Sequence, residues 1–173
     1  MKIGVVSMAT AFCFALYGVA FSADSMTIPL KNAKGESVGE AKLTQTPNGV
    51  LIQATLSKLP AGEHGFHIHA IGKCEPPFTS AGDHFNPDMK QHGYLDPKGR
   101  HAGDLPNIYM PESGTLKVDI LAAHVGLKDG QNPLLDKDGA ALVIHAKPDD
   151  YQSQPSGDAG ERIACGVIGT SAP

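Results

Sequence analysis

The sequence predicts an all-β protein built from short antiparallel strands, arranged as a sandwich or barrel. Alternating apolar and polar runs occur at 50–57, 65–70, 115–121, 141–146 and 162–168. Gly, Pro and Asn separate these runs, and helical periodicity is not sustained anywhere in the chain. Several short strands divided by turn residues are typical of β-sandwiches and barrels.

The clearest strand pair surrounds the segment Pro47-Asn48-Gly49. Asn-Gly accepts positive φ and is a strong hairpin signal. In the second run of the pair, alternate residues are apolar and should share one face, because successive side chains of a strand point to opposite sides. These residues are Val50, Ile52, Ala54 and Leu56.

The N-terminal residues 1–23 have the layout of a secretory signal peptide. Lys2 precedes an apolar stretch that runs from Ile3 to about Phe21, and small residues follow it, with Ala23 as one candidate end of the signal. An uncleaved membrane anchor is the alternative, but glycine and hydroxyl residues dilute a stretch that is barely long enough to span a bilayer. We expect the mature domain to cover 24–173, without stable membrane association.

Charge and cysteine content restrict the partners and the compartment. Without Lys2 the chain keeps 13 basic against 18 acidic residues, a net charge of −5, which argues against nucleic acid as a partner. Two cysteines remain after the signal, Cys74 and Cys165. In an exported chain a pair is most simply a disulfide, with two buried thiols as the alternative.

One long segment, 72–106, breaks the strand pattern. It holds five glycines and five prolines and shows little alternation. A loop of this length is uncommon in a compact domain, and its ordering costs roughly 1–2 kcal/mol per residue. Specific contacts must therefore hold it in place.

Three histidines and one carboxylate in this loop could supply those contacts. Three imidazoles and a carboxylate suit Zn²⁺, which favours four tetrahedral ligands, and a closed set of four predicts a structural zinc. A polar surface loop with scattered histidines is the alternative. The candidate ligands are His84, His92, His101 and Asp104.

A second group of histidines lies on predicted strands. His67 and His69 in "GFHIHA" alternate with Phe66 and Ile68, so the two imidazoles share one face. His145 in "ALVIHAKPDD" supplies a third imidazole. Imidazole-rich tetragonal sites suit Cu(II), whereas an H-x-H pair alone could equally be a surface strand with chance histidines.

Six motifs together resemble the copper/zinc superoxide dismutases of the bacterial exported type. The match covers most of residues 40–169, and the motifs occur in the order of that family. The motifs are "GFHIHAIGKC", "AGDHFNP", "KQHG", "RHAGDLPN", "VIHAKPDD" and "GERIACGVIG". The resemblance implies an antiparallel Greek-key β-sandwich or flattened barrel with a long metal-binding loop.

The resemblance also implies one copper and one zinc ion per subunit, with His84 bridging the two. The copper ligands would be His67, His69, His84 and His145. The zinc ligands would be His84, His92, His101 and Asp104.

Further roles follow from the resemblance alone. Arg162 matches the arginine that faces the open side of copper, and together with His84 it would be catalytic. Asp149 matches a carboxylate that receives hydrogen bonds from one histidine of each metal. His64 matches a supporting histidine that is not a ligand, and Cys74 and Cys165 match the family disulfide. Lys73 and Lys147 are the candidates for steering substrate, and His124 has no matching role.

The activity implied is disproportionation of superoxide to dioxygen and hydrogen peroxide, in the periplasm. A noncatalytic periplasmic copper/zinc-binding protein is the alternative. The quaternary structure stays open, with a homodimer as one of its possibilities, because no stretch of the sequence is recognisable as an interface.

Overall fold

The computed structural model describes residues 24–169, and the predicted signal peptide lies outside this range. The described part contains nine strands and one short 3-10 helix, Thr79–Ala81 (η1). The strands are β1 (Ser25–Asn32), β2 (Ser37–Thr46), β3 (Gly49–Ser57), β4 (Gly62–His64), β5 (Phe66–His69), β6 (Ile108–Met110), β7 (Thr115–Ala122), β8 (Ala140–His145) and β9 (Arg162–Ile168). No helix in residues 24–169 is long and apolar enough to cross a membrane.

Seven strands form one antiparallel sheet in the order β5-β8-β9-β1-β2-β3-β7, and β4 pairs with β6. The sheet curls into a half-barrel. Three of its neighbouring pairs, β5–β8, β9–β1 and β3–β7, join strands that are not consecutive in the chain. Such long return connections are those of a Greek key. The predicted all-β antiparallel class is confirmed.

The predicted hairpin is β2–β3, with Pro47 and Asn48 in the turn and Thr46 paired with Gly49. The positive φ lies on Gly49, at 127°, rather than on Asn48. A Cβ atom at Gly49 would collide with the backbone of Ala122 in β7. The glycine therefore serves the close approach of two strands as well as the turn.

The main core fills the inside of the curled sheet. The alternating residues of β3 are buried as predicted. Large side chains from most strands join them, including Leu30, Leu43, Phe66, Ile68, Leu142 and Ile144. A fully buried aliphatic or aromatic side chain contributes about 1.5–3 kcal/mol, so this cluster holds β5 and β8 in fixed positions.

The other face of β5 and β8 is buried as well, which the sequence did not indicate. All residues of β5 are buried, so His67 and His69 do not lie on an exposed face. Ala141 and Val143 of β8 pack with Phe78 and Cys165 in a second small cluster. The long loop covers this face and shields the histidines from water.

The long loop is held against β5 by backbone hydrogen bonds. The N–H of Ile68 donates to the carbonyl of Gly103 at 2.9 Å, and the N–H of Phe85 donates to the carbonyl of Ile68 at 2.8 Å. A Cβ atom at Gly103 would collide with the Ile68 carbonyl, so a glycine is required there. The Cys74–Cys165 disulfide, with a Cα–Cα distance of 5.7 Å, ties the start of the loop to β9.

Candidate metal centre

Two groups of buried side chains could each hold a metal ion, and His84 belongs to both. In each group one candidate ligand atom per residue lies within 4.8 Å of the others. The four-histidine group consists of His67, His69, His84 and His145. The mixed group consists of His84, His92, His101 and Asp104. The structure thus brings together every ligand candidate named from the sequence.

Backbone carbonyls set the tautomers of two residues in the four-histidine group. Nδ1 of His69 donates to the Gly82 carbonyl at 2.9 Å, and Nδ1 of His145 donates to the Gly160 carbonyl at 3.2 Å. Both rings therefore present an Nε2 lone pair, and the two Nε2 atoms are 3.4 Å apart. Two lone pairs facing each other in a buried pocket suit a shared cation.

His67 and His84 complete the four-histidine group with unpartnered nitrogens. Nε2 of His67 donates to Asp149 Oδ2 at 2.8 Å, and Nδ1 of His84 is 2.8 Å from Asp104 Oδ1. The opposite atoms, His67 Nδ1 and His84 Nε2, are buried and have no hydrogen-bond partner within residues 24–169. A buried polar atom without a partner is costly. Coordination to a metal ion would satisfy both.

The mixed group is arranged around the carboxylate of Asp104, which is fully buried. Its oxygens lie 2.8 Å from Nδ1 of His84, 3.1 Å from Nδ1 of His101 and 3.2 Å from Nδ1 of His92. Three imidazole nitrogens and one oxygen are a tetrahedral zinc donor set. Nδ1 of His92 is another buried nitrogen without a hydrogen-bond partner. The chemistry of this group fits Zn²⁺.

Asp149 connects the two groups. Its Oδ2 accepts from Nε2 of His67 at 2.8 Å, and its Oδ1 accepts from Nε2 of His92 at 2.9 Å. Gly157 packs directly on this carboxylate, at φ 68°, where a Cβ atom would collide with it. One buried side chain thereby fixes the tautomer and the ring direction of one histidine in each group.

The pKa shifts in the four-histidine group favour neutral imidazoles. Burial lowers the pKa of His84 to about 4, against the opposing hydrogen bond with Asp104. Burial, helped by the nearby His67 ring, lowers the pKa of His145 to about 3. Burial also lowers the pKa of His69 well below its usual value. Neutral imidazole is the form that binds metal.

The pKa shifts of the two carboxylates, in contrast, favour the charged form. Burial would raise the pKa of Asp104, but hydrogen bonds from His101 and His84, together with the nearby ring of His92, outweigh it and hold this pKa far below its usual range. The pKa of Asp149 is likewise lowered against burial, by hydrogen bonds from His67 and His92. Burial acts to lower the pKa of His92, but the close carboxylate of Asp104 and the hydrogen bond to Asp149 raise it to about 9. The carboxylates are therefore ionised whenever the fold is intact.

A cleft of about 420 Å³ leads from solvent to the four-histidine group, and Arg162 lines it. The half-buried guanidinium of Arg162 donates to the carbonyls of Phe78 at 2.6 Å and Gly82 at 2.7 Å. Burial lowers the pKa of Arg162, but a guanidinium stays charged at any working pH. Three of its five N–H groups remain for a small anion in the cleft.

The remaining sequence candidates divide into supporting and surface residues. His64 is buried, with Nδ1 2.7 Å from the His145 carbonyl and Nε2 2.9 Å from the Pro60 carbonyl, so it braces the strand that carries His145. Lys73, Lys147 and His124 are exposed, and neither lysine lines the cleft. Lys147 instead lies 3.9 Å from the exposed carboxylate of Asp158.

Several positioning residues were not identified from the sequence. Nδ2 of Asn107 donates to the carbonyl of Asp149 at 2.9 Å, and the Asp149 N–H donates back to Oδ1 of Asn107 at 2.9 Å. Tyr94 Oη and Arg100 Nη1 both donate to the Asp104 carbonyl at 3.0 Å. Asn107 and Arg100 lie inside the quoted motif "RHAGDLPN", but nothing in one sequence shows which backbone groups they reach.

The fold and this geometry define a class of protein: a curled antiparallel β-barrel metalloprotein whose two metal pockets share one histidine. A family model described as copper/zinc superoxide dismutase matches residues 37–168. The chain belongs to the copper/zinc superoxide dismutase family.

Individual relatives agree with this assignment. The chain is 49% identical to Superoxide dismutase [Cu-Zn] 1 of Aquifex aeolicus, over 91% of this chain and 96% of that protein. Its structure is similar to a crystal structure of a SOD-like protein from Bacillus subtilis, with a TM-score of 0.79, 40% identity and coverage of 82% and 97% of the two chains. It is also similar to the Cu/Zn superoxide dismutase from Brucella abortus, with a TM-score of 0.68, 30% identity and coverage of 84% and 99%.

Proposed function

We propose that this protein disproportionates superoxide, converting two superoxide ions and two protons into one dioxygen and one hydrogen peroxide. The observation that carries the proposal is that His84 belongs to both candidate metal groups. Its Nδ1 faces the carboxylate of the mixed group, while its Nε2 is a buried, unpartnered atom of the four-histidine group. A single imidazole that serves two adjacent metal pockets fits the copper/zinc pair of the family.

The four-histidine group would hold copper. Four neutral imidazoles without a carboxylate suit a redox copper, and the cleft gives a small anion access to this group. A copper ion held there would supply one-electron redox chemistry, accepting an electron from one superoxide and giving one to another. The nitrogens that would hold it are Nδ1 of His67 and Nε2 of His69, His84 and His145.

The mixed group would hold zinc in a structural role. His92 and Asp104 are fully buried, and the four donors close a tetrahedral set. Since His84, His92, His101 and Asp104 all belong to the long loop, zinc would cross-link distant parts of that loop and so order it. Zinc at Nδ1 would also fix the ring of His84.

Arg162 and His84 are the proposed catalytic residues. Arg162 would bind superoxide with its free N–H groups and orient it in the cleft. His84 lines the same cleft and its Nε2 has no hydrogen-bond partner within residues 24–169, so in the state in which this nitrogen does not hold copper it could carry a proton to the second superoxide. Asp149 would hold His67 and His92 in place and would not contact substrate.

We also infer that the protein is exported to the periplasm, with residues 1–23 as signal peptide and 24–173 as the mature domain. The disulfide supports export, because disulfides persist in oxidising compartments. Mass spectrometry of the protein purified from periplasm tests this inference. A mature N-terminus close to Asp24 and no free thiol are expected, and an intact Met1 or two free thiols would contradict it.

The decisive experiment on function is superoxide decay measured by pulse radiolysis with the mature protein loaded with copper and zinc. We expect turnover near the diffusion limit of about 10⁸–10⁹ M⁻¹s⁻¹. The matched control is the zinc-loaded, copper-free protein, which should be inactive. Full metal loading without accelerated decay would instead identify the chain as a noncatalytic copper/zinc-binding protein.

A further inference from the structure

The cleft that leads to the four-histidine group contains a second fixed charge besides Arg162. Among the described residues that line it, apart from the histidines, the ionisable side chains are Arg162 and Asp83. One positive and one negative charge cancel, so the side chains of the lining supply no net positive charge beyond that of the proposed copper ion. This is unexpected in a cleft that must admit an anion.

The backbone holds Asp83 firmly at this position. Its carbonyl accepts the N–H of Ala70 at 2.9 Å, just beyond the end of β5. On one side it follows Gly82, whose carbonyl accepts Nη2 of Arg162 at 2.7 Å. On the other side it precedes His84. Asp83 therefore lies between the anchor of the cleft arginine and the shared histidine.

The side chain of Asp83 has no structural task that would explain its presence. It is exposed, and within residues 24–169 we find no hydrogen bond or ion pair made by its carboxylate. Its charge does act on Arg162: burial lowers the pKa of Arg162, while the carboxylate of Asp83 partly opposes that shift. The described part of the chain places neither Lys73 nor Lys147 in the cleft to compensate the negative charge.

We propose that Asp83 determines which anions the cleft accepts, by excluding multiply charged anions in favour of superoxide. The repulsion between Asp83 and an anion is proportional to the charge of the anion. If Asp83 weakens binding of a monoanion by some factor, it weakens binding of a dianion at the same place by about the square of that factor. The cost to superoxide is then small, whereas sulfate-like and phosphate-like dianions are kept from Arg162.

This inference rests on the proposed function only for the identity of the favoured anion. The charge effect itself can be measured without turnover. Interactions between exposed charges are worth about 0.2–1 kcal/mol, which is a factor of roughly 1.4–5 in affinity. We therefore expect Asp83→Asn to tighten monoanion binding by about 1.4- to fivefold and dianion binding by about two- to 25-fold.

The experiment is an NMR titration of the Arg162 side-chain resonances with formate and with sulfate. The protein is loaded with zinc and with diamagnetic Cu(I), and ionic strength is held constant. Asp83→Asn is compared with the native chain, with Asp83→Glu, and with Asp119→Asn. Asp119 lies on the exposed face of β7, outside the cleft, so this control makes the same change of net charge elsewhere.

The expected result is tighter binding in Asp83→Asn alone, with a larger gain for sulfate than for formate. Asp83→Glu, which keeps the charge, and Asp119→Asn should bind both anions like the native protein. Equal affinities in all four proteins would overturn the proposal. An equal gain for both anions, or the same gain in Asp119→Asn, would also overturn it.

Superoxide decay across a salt series gives a second, separate readout. Asp83→Asn should be inhibited by sulfate at several-fold lower concentration than the native enzyme, and Asp119→Asn should not. If no variant turns over superoxide but Asp83→Asn still binds sulfate more tightly, the proposed function fails and the selectivity of Asp83 stands. If all variants turn over superoxide with identical sulfate inhibition, the selectivity fails and the function stands.

Discussion

The side-chain amide of Gln154 is paired with the backbone of His92. The N–H of His92 donates to Oε1 of Gln154 at 2.8 Å, and Nε2 of Gln154 donates to the His92 carbonyl at 2.9 Å. Gln154 immediately precedes Pro155 and Ser156, which line the cleft. A proposed zinc ligand and a wall of the cleft are thus joined by two hydrogen bonds.

We predict that Gln154→Ala loosens the proposed zinc site without removing a ligand. Two hydrogen bonds at about 0.5–1.5 kcal/mol each suggest a loss of roughly 1–3 kcal/mol, or several degrees in melting temperature for a chain of this size. Calorimetry and competition with a zinc chelator measure the two effects. Gln152→Ala, on the same loop, is the control, and identical zinc affinities in the two variants would exclude the role.

Alanine substitution of the proposed copper histidines should abolish turnover and preserve the fold. His67, His69 and His145 lie on strands that the core and the sheet already hold in place, so the zinc-loaded variants should melt within about 10 °C of the native protein. Metal analysis and superoxide decay are measured on the same samples. A variant that keeps full copper loading and native activity would show that its histidine is not a ligand.

Loss of zinc should affect stability more than loss of copper. Asp104→Ala removes the carboxylate on which three histidines converge. A ligand present at 1,000 times its Kd contributes about 4 kcal/mol, equivalent to roughly 8–16 °C here. Limited proteolysis of residues 72–106, with and without zinc, is the measurement. Equal cleavage of the native loop in both states would contradict a structural zinc, and Asp119→Ala serves as the control variant.

Substitutions of Arg162 should separate attraction of the anion from its orientation. Arg162→Lys keeps the charge but loses the planar set of N–H donors, Arg162→Ile removes both, and Arg162→Glu reverses the charge. The activity should fall in that order, with the copper content unchanged. Loss of a charge-assisted hydrogen bond of about 1.5–3 kcal/mol predicts roughly a tenfold to 100-fold decrease for Arg162→Ile. Superoxide decay across a salt series tests this, because screening should slow the native enzyme and slow Arg162→Glu less. Similar rates and similar salt dependence in all four proteins would show that Arg162 neither attracts nor orients superoxide.

The metal-free protein should lose stability on both sides of neutral pH. Burial lowers the pKa of His84 to about 4 and of His145 to about 3, so these residues favour the fold above their unfolded pKa of about 6.5. That contribution is lost as pH falls from about 6.5 towards 4. The pKa of His92 is raised to about 9 by the two carboxylates, against the effect of burial. Protonated His92 therefore stabilises the fold, and this contribution is complete below about pH 6.5. Its contribution is lost as pH rises through 9.

Melting temperatures of the chelated protein from pH 4 to 9.5 check this prediction. Each pKa unit is worth about 1.4 kcal/mol, so the acid side should lose several kcal/mol and the maximum should lie near pH 6.5–7. His124→Gln, at an exposed histidine, should leave the profile unchanged. A flat profile between pH 4 and 6.5 would show that the buried histidines are not kept neutral by the fold.

The sequence by itself predicted six of the nine strands, all but β1, β4 and β6, and the ligand candidates. Alternation of apolar residues identified β3 and β5, because a strand with one face in a core must repeat with period two. The spacing of His84, His92, His101 and Asp104 and the H-x-H pair in β5 identified the donors, because metal chemistry restricts which residue types can bind. The Cys74–Cys165 pairing followed from there being two cysteines after the predicted signal peptide, and the structure contains that disulfide.

The tertiary structure alone decided how these residues meet. The sequence could not indicate that both faces of β5 are buried, because the cover comes from a loop whose position depends on contacts far along the chain. Nor could it indicate that Gln154 and Asn107 bind the backbone of His92 and Asp149, or that Asp83 shares a cleft with Arg162, 79 residues later. Side-chain chemistry is local and can be recognised in a sequence, whereas backbone hydrogen bonds and the electric field of a cleft depend on distances that only the folded chain fixes.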